Sequence, residues 1–194
     1  MTYHVDLSTA LRAHFDDSWL HFQPEWWKQR RVPWAGKGKV PNALMLHHTA
    51  ACNGNAHGAN ASVISFIQNH YEVPAANFTL DRDGSLYIHS AYPVWHAGLG
   101  SFTGKTPWNT LGISDDMGND YMLGVEIMSK GLKKDFTAAQ KDSFSYLIRA
   151  VADASGWAYP NGFHTELRRP RHKDWAGNRK VDILYTQAEV NAWL

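Results

Sequence analysis

The chain of 194 residues contains a single cysteine, Cys52. An internal disulfide is therefore excluded, and so is a zinc site made of four thiolates. Long apolar runs are missing as well. The longest, such as residues 43–46, have the length of a strand, far short of the ~18 residues that a membrane helix needs. Charge of one sign is not in excess: 19 basic against 18 acidic side chains leave +1. That balance argues against a dedicated nucleic-acid binder. Residues 1–17 lack a basic stretch followed by an apolar one, so no secretory signal is expected. There is no internal repeat, no Gly-x-Ser-x-Gly elbow, no phosphate-binding Gly-x-x-x-x-Gly-Lys-Ser/Thr loop and no His-Glu-x-x-His. What is present is a composition of 44% hydrophobic and 19% charged residues, which suits one domain with a sizeable core. Eleven histidines direct attention to metal or acid–base chemistry, and nine tryptophans to a flat ligand such as a sugar ring.

Residues 1–40 differ from the rest. They gather Trp19, Phe22, Trp26, Trp27 and Trp34 beside Lys28, Arg30, Arg31, Lys37 and Lys39. We read them as an aromatic and basic arm packed on a main domain of residues 41–194; the alternative is an accessory surface for an anionic polymer. In the main domain, residues 43–49 form an apolar run with strand character. Residues 61–71 have the spacing of a short amphipathic helix. Residues 77–80 and 86–91 flank Asp81-Arg82-Asp83-Gly84, a hairpin signal. Residues 97–119 read as loop and residues 121–129 as another strand. Thr137-Ala138-Ala139-Gln140 and Thr186-Gln187-Ala188-Glu189 are capping-box patterns. The first opens the longest helix, to about Ser155 with Gly156 as its stop; the second opens a last helix reaching Trp193-Leu194. Mixed strands and helices predict an α/β fold with a central mixed β-sheet flanked by α-helices.

Three segments carry chemistry. Alternation along residues 43–48 puts Ala43, Met45 and His47 on one face and Leu44, Leu46 and His48 on the other, so only one of the two histidines can face a given site. Residues 172–182, read as a loop, offer His172, Lys180 and Asp182. Two histidines and a carboxylate satisfy the rule that a catalytic zinc takes three protein ligands and keeps a fourth position open. In Leu123-Gly124-Val125-Glu126-Ile127, the apolar residues share one face and Glu126 lies on the other, behind Gly124. A lone carboxylate in an apolar strand is costly unless paired or at work. Cys52 sits in a Gly/Asn-rich loop with nothing but nearby histidines to activate it, which makes it a poor nucleophile candidate.

These segments resemble the zinc-dependent N-acetylmuramoyl-L-alanine amidases, the family related to peptidoglycan recognition proteins and to phage lysozyme-like amidases. The resemblance rests on Leu46-His47-His48-Thr49-Ala50, Asn77-Phe78 before Arg82-Asp83-Gly84, Trp95-His96-Ala97-Gly98, Gly124-Val125-Glu126, and the run from His172 to Asp182. It spans residues 43–183 in the family's order. It implies that His47, His172 and Asp182 bind one zinc ion, that His48 is structural, that Glu126 orients or deprotonates the water, and that Lys180 stabilises the oxyanion. Asn77, Trp95, His96, Ala97, Gly98 and Arg179 would line the substrate groove. The implied reaction cleaves the amide between N-acetylmuramic acid and L-alanine, without a covalent intermediate.

Two departures stand out. Gly177-Asn178 replaces the family's frequent Pro-Gly, and asparagine tolerates the left-handed geometry of such a turn. Ala76 stands where many relatives have a tyrosine, leaving Lys180 as the oxyanion partner. His164 rivals His172, but only His172 has Lys and Asp eight and ten residues on. The expected partner is peptidoglycan or a muropeptide, with no nucleic acid and no membrane, and a monomer is expected. A phage endolysin is favoured, held in the host cytoplasm until lysis and then acting on the wall. The alternatives are a cytosolic muropeptide-recycling amidase and a non-catalytic peptidoglycan-binding module. A two-His-one-carboxylate iron oxygenase fits less well, because those sites usually place His and carboxylate two residues apart.

Overall fold

The computed structural model describes residues 2–30, 32–35, 40–69, 71–157 and 168–194. Its centre is a five-stranded mixed sheet. The strands are β1 (Leu20–Phe22), β2 (Ala43–His48), β3 (Phe78–Leu80), β4 (Leu86–Ile88) and β5 (Met122–Ile127), in spatial order β1-β4-β3-β5-β2. Only β3 and β4 pair antiparallel, around the turn in which Gly84 adopts a φ of 95°. All other neighbours are parallel.

The helices are α1 (Tyr3–His14), α2 (Ala61–Asn69), α3 (Gly118–Tyr121), α4 (Ala138–Ser155), α5 (His172–Ala176) and α6 (Gln187–Asn191). One face of the sheet is covered by α1 and α4. Tyr3, Leu7, Ala10 and Leu11, spaced by three and four residues, turn the buried side of α1 toward the core. There they join Phe144, Leu147, Ile148 and Val151 of α4 and the sheet residues Leu44, Leu46, Leu123, Val125 and Ile127. Trp26 and Trp34 are buried in the same cluster, whereas Trp19 and Trp27 are exposed. Among the described residues no helix is long and apolar enough to cross a membrane.

The opposite face holds a smaller cluster: Ala43, Met45, Met122, Ala97, Phe102 and Trp175. The even–odd alternation of β2 and β5 thus sorts apolar bulk to the α4 side. It leaves His47, Gly124 and Glu126 on the other side.

Several elements differ from the sequence reading. Residues 97–119 contain a 3₁₀ turn at Trp108–Leu111 and run into α3. The segment from His172 opens with a helical turn, α5, that is too short for periodicity to reveal. The Asp174 carboxylate caps it by accepting from the Arg171 backbone at 3.0 Å and from the Arg171 Nε at 2.8 Å. Helix α6 stops at Asn191 and does not reach Leu194. His164 lies outside the described residues.

Both capping boxes form. At α4 the Gln140 N–H donates to Thr137 Oγ1 at 3.1 Å, and the Thr137 N–H donates to Gln140 Oε1 at 3.0 Å. The Thr137 hydroxyl also donates to the Arg82 carbonyl at 2.8 Å, which ties the helix to the hairpin turn. Thr137→Ala should therefore lower the unfolding free energy by about 1–2 kcal/mol. Urea unfolding with an unchanged slope is the measurement, and Thr137→Ser should recover most of the loss.

Candidate metal centre and groove

Strand β2 is one of the two edge strands of the sheet, and its outer side is not left bare. The Leu46 N–H donates to the Pro170 carbonyl at 2.9 Å, and Leu46 pairs in parallel with Arg171. That short seam lays the C-terminal part of the chain along β2, so His172 arrives beside His47 although 125 positions separate them. Two backbone contacts then bring Asp182 back. The Lys180 N–H closes the 3₁₀ turn onto Gly177, and the Lys173 N–H donates to the Asp182 carbonyl at 2.9 Å.

The outcome is a triangle of donor atoms. His47 Nδ1 and His172 Nδ1 are 3.0 Å apart, His172 Nδ1 and Asp182 Oδ2 3.1 Å, and His47 Nδ1 and Asp182 Oδ2 3.5 Å. Among the described residues this is the one His/Cys/Asp/Glu cluster with the spacing of a metal site. The fit can be tested on the atoms themselves. For zinc bonds of about 2.0–2.1 Å, the corners of a tetrahedron lie about 3.3–3.4 Å apart, which the triangle matches. The His172 Nε2 faces the Ala97 carbonyl at 3.0 Å. A carbonyl only accepts, so Nε2 carries the hydrogen and Nδ1 keeps its lone pair for the triangle. The residues present fit a zinc ion held by two imidazoles and one carboxylate, with one position left over.

The electrostatics agree. Burial, and then the field of His172, push the His47 imidazole down to about 4, so it is neutral near pH 7 and able to act as a ligand.

Glu126 is the register partner of His47 on β5 and has Thr79 of β3 on its other side. It is half-buried, and its Oε2 is shielded from solvent with no hydrogen-bond partner. Burial foremost, and the charge of Asp182, push its carboxyl up to about 8, against the opposing charge of Lys180. Lys180 itself is exposed, close enough for its charge to act on both His47 and Glu126.

Two clefts reach neighbours of the triangle, His96 in one and Glu126 in the other. One, of about 580 Å³, is lined by Tyr71, Trp95, His96, Leu99, Met117 and Asn119 among others. The other, of about 390 Å³, is lined by Thr49, Ser62, Val63, Phe66 and Ile67 and reaches Glu126.

The expected groove residues divide between these clefts and the interior. Trp95 is 43% exposed and lines the larger cleft. Arg179 is exposed and donates to the Leu99 carbonyl, so it ties the turn before Lys180 to the rim of that cleft. Asn77 does not line the groove. It is fully buried, its amide donates to the Ser90 and Tyr92 carbonyls, and its Oδ1 accepts from the Gly124 N–H. Ala97 is likewise fully buried, and its carbonyl holds His172. His96 does border the cleft, but its ring is directed at His47.

His48 projects to the other face of β2, where its Nδ1 accepts from the Ala50 N–H. Ala76 is buried against Ile64, Ile67 and Met128. The positive-φ residue of the segment 172–182 is Gly177, with a φ of 63°, and not Asn178. Cys52 is half-buried and directs its thiol at the Gly54 carbonyl. Sequence reasoning missed Asn119, whose Oδ1 accepts from the backbone N–H of both His96 and Ala97. No local pattern marks it.

Comparison with known proteins adds the family. The sequence profile described as N-acetylmuramoyl-L-alanine amidase matches residues 37–183. The chain belongs to the N-acetylmuramoyl-L-alanine amidase family. The matched span contains His47, Glu126, His172, Lys180 and Asp182 and leaves α1, β1 and α6 outside.

Among curated proteins no sequence matches. Among solved structures the chain is similar to the bumblebee peptidoglycan recognition protein PGRP-SA, with 13% identity, a TM-score of 0.58 and coverage of 90% of this chain and 95% of that one. It is similar to a variant of Drosophila PGRP-LB in complex with tracheal cytotoxin, with 15% identity, a TM-score of 0.57 and coverage of 90% and 94%. It is also similar to the endolysin of a Thermus scotoductus bacteriophage, with 15% identity, a TM-score of 0.53 and coverage of 90% and 97%. At these identities the likeness is one of fold.

Two outcomes are expected from this amidase-family site. The chain should retain one zinc ion after gel filtration, and His47→Ala, His172→Ala and Asp182→Ala should each lose it. Elemental analysis measures this, and a full equivalent in any of the three would remove that residue from the ligand set. The second concerns pH in the zinc-free chain. A carboxyl raised from 4.5 to about 8 by folding stabilises the fold fully only below about 4.5, and that stability is lost as the pH rises through about 8. Between pH 5 and 8.5 the chain should therefore lose stability relative to Glu126→Gln. Urea unfolding in a chelator follows the difference, and a difference independent of pH would contradict the raised pKa.

Proposed function

We propose that the chain is a zinc-dependent hydrolase that cuts the amide bond between the lactyl group of N-acetylmuramic acid and L-alanine in peptidoglycan. One observation carries the reading: the convergence of His47 Nδ1, His172 Nδ1 and Asp182 Oδ2 to within 3.0–3.5 Å, with Glu126 on the adjacent strand facing the same way. The family match supports the same bond. Support for a muropeptide ligand comes from a structural neighbour recorded with tracheal cytotoxin, a monomeric diaminopimelic acid-type peptidoglycan.

When bound, zinc supplies Lewis acidity to a water molecule and to the scissile carbonyl. The chain's own residues do the rest. Glu126 takes the proton of the attacking water and returns it to the departing amine of L-alanine. A carboxyl raised toward neutrality can do both near pH 7. Lys180 offers a positive charge to the carbonyl oxygen as negative charge develops there. Trp95, exposed at the cleft next to the site, presents a flat apolar face to the substrate. The reading extends to the setting: an endolysin that waits in the host cytoplasm and reaches the wall at lysis. The exposed Trp27, followed in sequence by the exposed Lys28 and Arg30, suits contact with an anionic wall polymer.

Digestion of purified bacterial wall with mass spectrometry of the products tests the reading. Stem peptides beginning with a free L-alanine amine are expected. New reducing sugars would make the chain a glycosidase, and binding without release would make it a recognition module. Glu126→Ala should keep its zinc and lose about 10²–10⁴ in rate, the usual range for a general base. Near-normal turnover would remove Glu126 from the mechanism.

A further inference from the structure

The larger cleft and the metal centre share one residue, His96, and its ring has two neighbours. Its Nε2 lies 2.8 Å from the Met122 carbonyl, and its Nδ1 lies 3.2 Å from the Nε2 of His47. The rings of His96 and His47 meet edge to face, at 87°. We infer that His96 is a positioning residue that keeps the hydrogen of His47 on Nε2 and so reserves the His47 Nδ1 lone pair for a cation. The inference rests on the reading of His47, His172 and Asp182 as ligands.

The chain of hydrogens has one consistent solution with neutral rings. The Met122 carbonyl can only accept, so the His96 Nε2 carries a hydrogen. The His96 Nδ1 is then bare and accepts from the His47 Nε2. That hydrogen on Nε2 leaves the His47 Nδ1 bare, facing His172 Nδ1 at 3.0 Å and Asp182 Oδ2 at 3.5 Å. With the hydrogen on Nδ1 instead, His47 would donate to one of these neighbours and close the triangle to a metal. Without a partner on Nε2, nothing on the outer side of the ring disfavours that form.

The seat of His96 is built for this task. A Cβ at position 124 would lie 2.5 Å from the His96 Cγ and 2.6 Å from its Nδ1, so only glycine on β5 lets the ring rest there. The backbone N–H of His96 donates to Asn119 Oδ1 at 2.8 Å, and that of Ala97 donates to the same oxygen at 2.7 Å. Ala97 in turn orients His172 through its carbonyl. Two consecutive residues, anchored by one asparagine, thus set the tautomers of both imidazoles.

The test uses the chain of 194 residues and three variants. In ¹⁵N-histidine-labelled, zinc-free protein at pH 7.5, long-range ¹H–¹⁵N correlation should show His47 protonated on Nε2; His47→Gln identifies its signals. His96→Leu removes the acceptor and should shift His47 toward the other tautomer and weaken zinc binding about 10–100-fold, as loss of an outer partner of a metal-bound histidine typically does. His96→Asn places an amide oxygen near the former Nδ1 and should restore most of the affinity. A His47 hydrogen on Nδ1 in the unsubstituted protein overturns the inference. So does folded His96→Leu with unchanged zinc affinity, or His96→Asn as weak as His96→Leu. An unsubstituted chain that takes up no zinc removes the hydrolase reading instead, and the tautomer of His47 still decides the role of His96.

Discussion

Two residues of extended chain laid along the edge of β2 hold the site together. The hydrogen bond from Leu46 to Pro170 and the pairing of Leu46 with Arg171 bring the C-terminal segment to the one exposed side of the sheet that carries an inward-facing histidine. Every other feature of the centre depends on that seam. It sets His172 one residue past the pairing, and the Lys173–Asp182 backbone bond returns the carboxylate to the same place. Without it, His47 is a buried imidazole on an edge strand, and Lys180 has no field to contribute to Glu126.

The surroundings are arranged around backbone groups more than around side chains. Asn77 ties β3, β5 and the segment after β4 through three backbone partners. Asn119 ties residues 96 and 97 through two. Gln140 donates to the carbonyls of Leu80 and Met128 from inside the core. Buried amides of this kind satisfy main-chain groups where strands end and loops begin, which is where the clefts lie. Asn77 and Asn119 thus give main-chain partners to the irregular backbone on the face opposite α4, and the candidate ligands stand on rigid supports.

Much of the fold was legible because its signals are local. Short apolar runs identified β2 and β5, and alternation sorted Glu126 away from Leu123, Val125 and Ile127. The turn at Gly84 identified the hairpin, and Thr137 with Gln140 identified the start of α4. Elements of three to five residues, such as β1 and α5, left no periodic trace, and the seam at residues 170–171 is a contact that no local pattern encodes. At the site, the spacing of His172, Lys180 and Asp182 could be read, while the choice between His47 and His48 needed the face of the strand. The resemblance implied that Asn77, Ala97 and His96 line the groove. In the folded chain the polar atoms of Asn77 and Ala97 meet Gly124 and His172 instead, while His96 borders the cleft and turns its ring to His47. A motif reports proximity to a site; which atom faces inward depends on the backbone.

The seam also bears on how a chain with one cysteine resists unfolding. An ion gripped by His47 and His172 would be a cross-link between distant stretches of polypeptide. A covalent bridge enclosing a loop of that order would restrict the denatured ensemble by about 5 kcal/mol in the chain-entropy account. Such a staple would be reversible, and its strength would follow the free concentration of the ion. Chelation would then loosen the segment of residues 170–182 from β2, so that any chemistry dependent on the ion and the mechanical closure of the domain would be lost together.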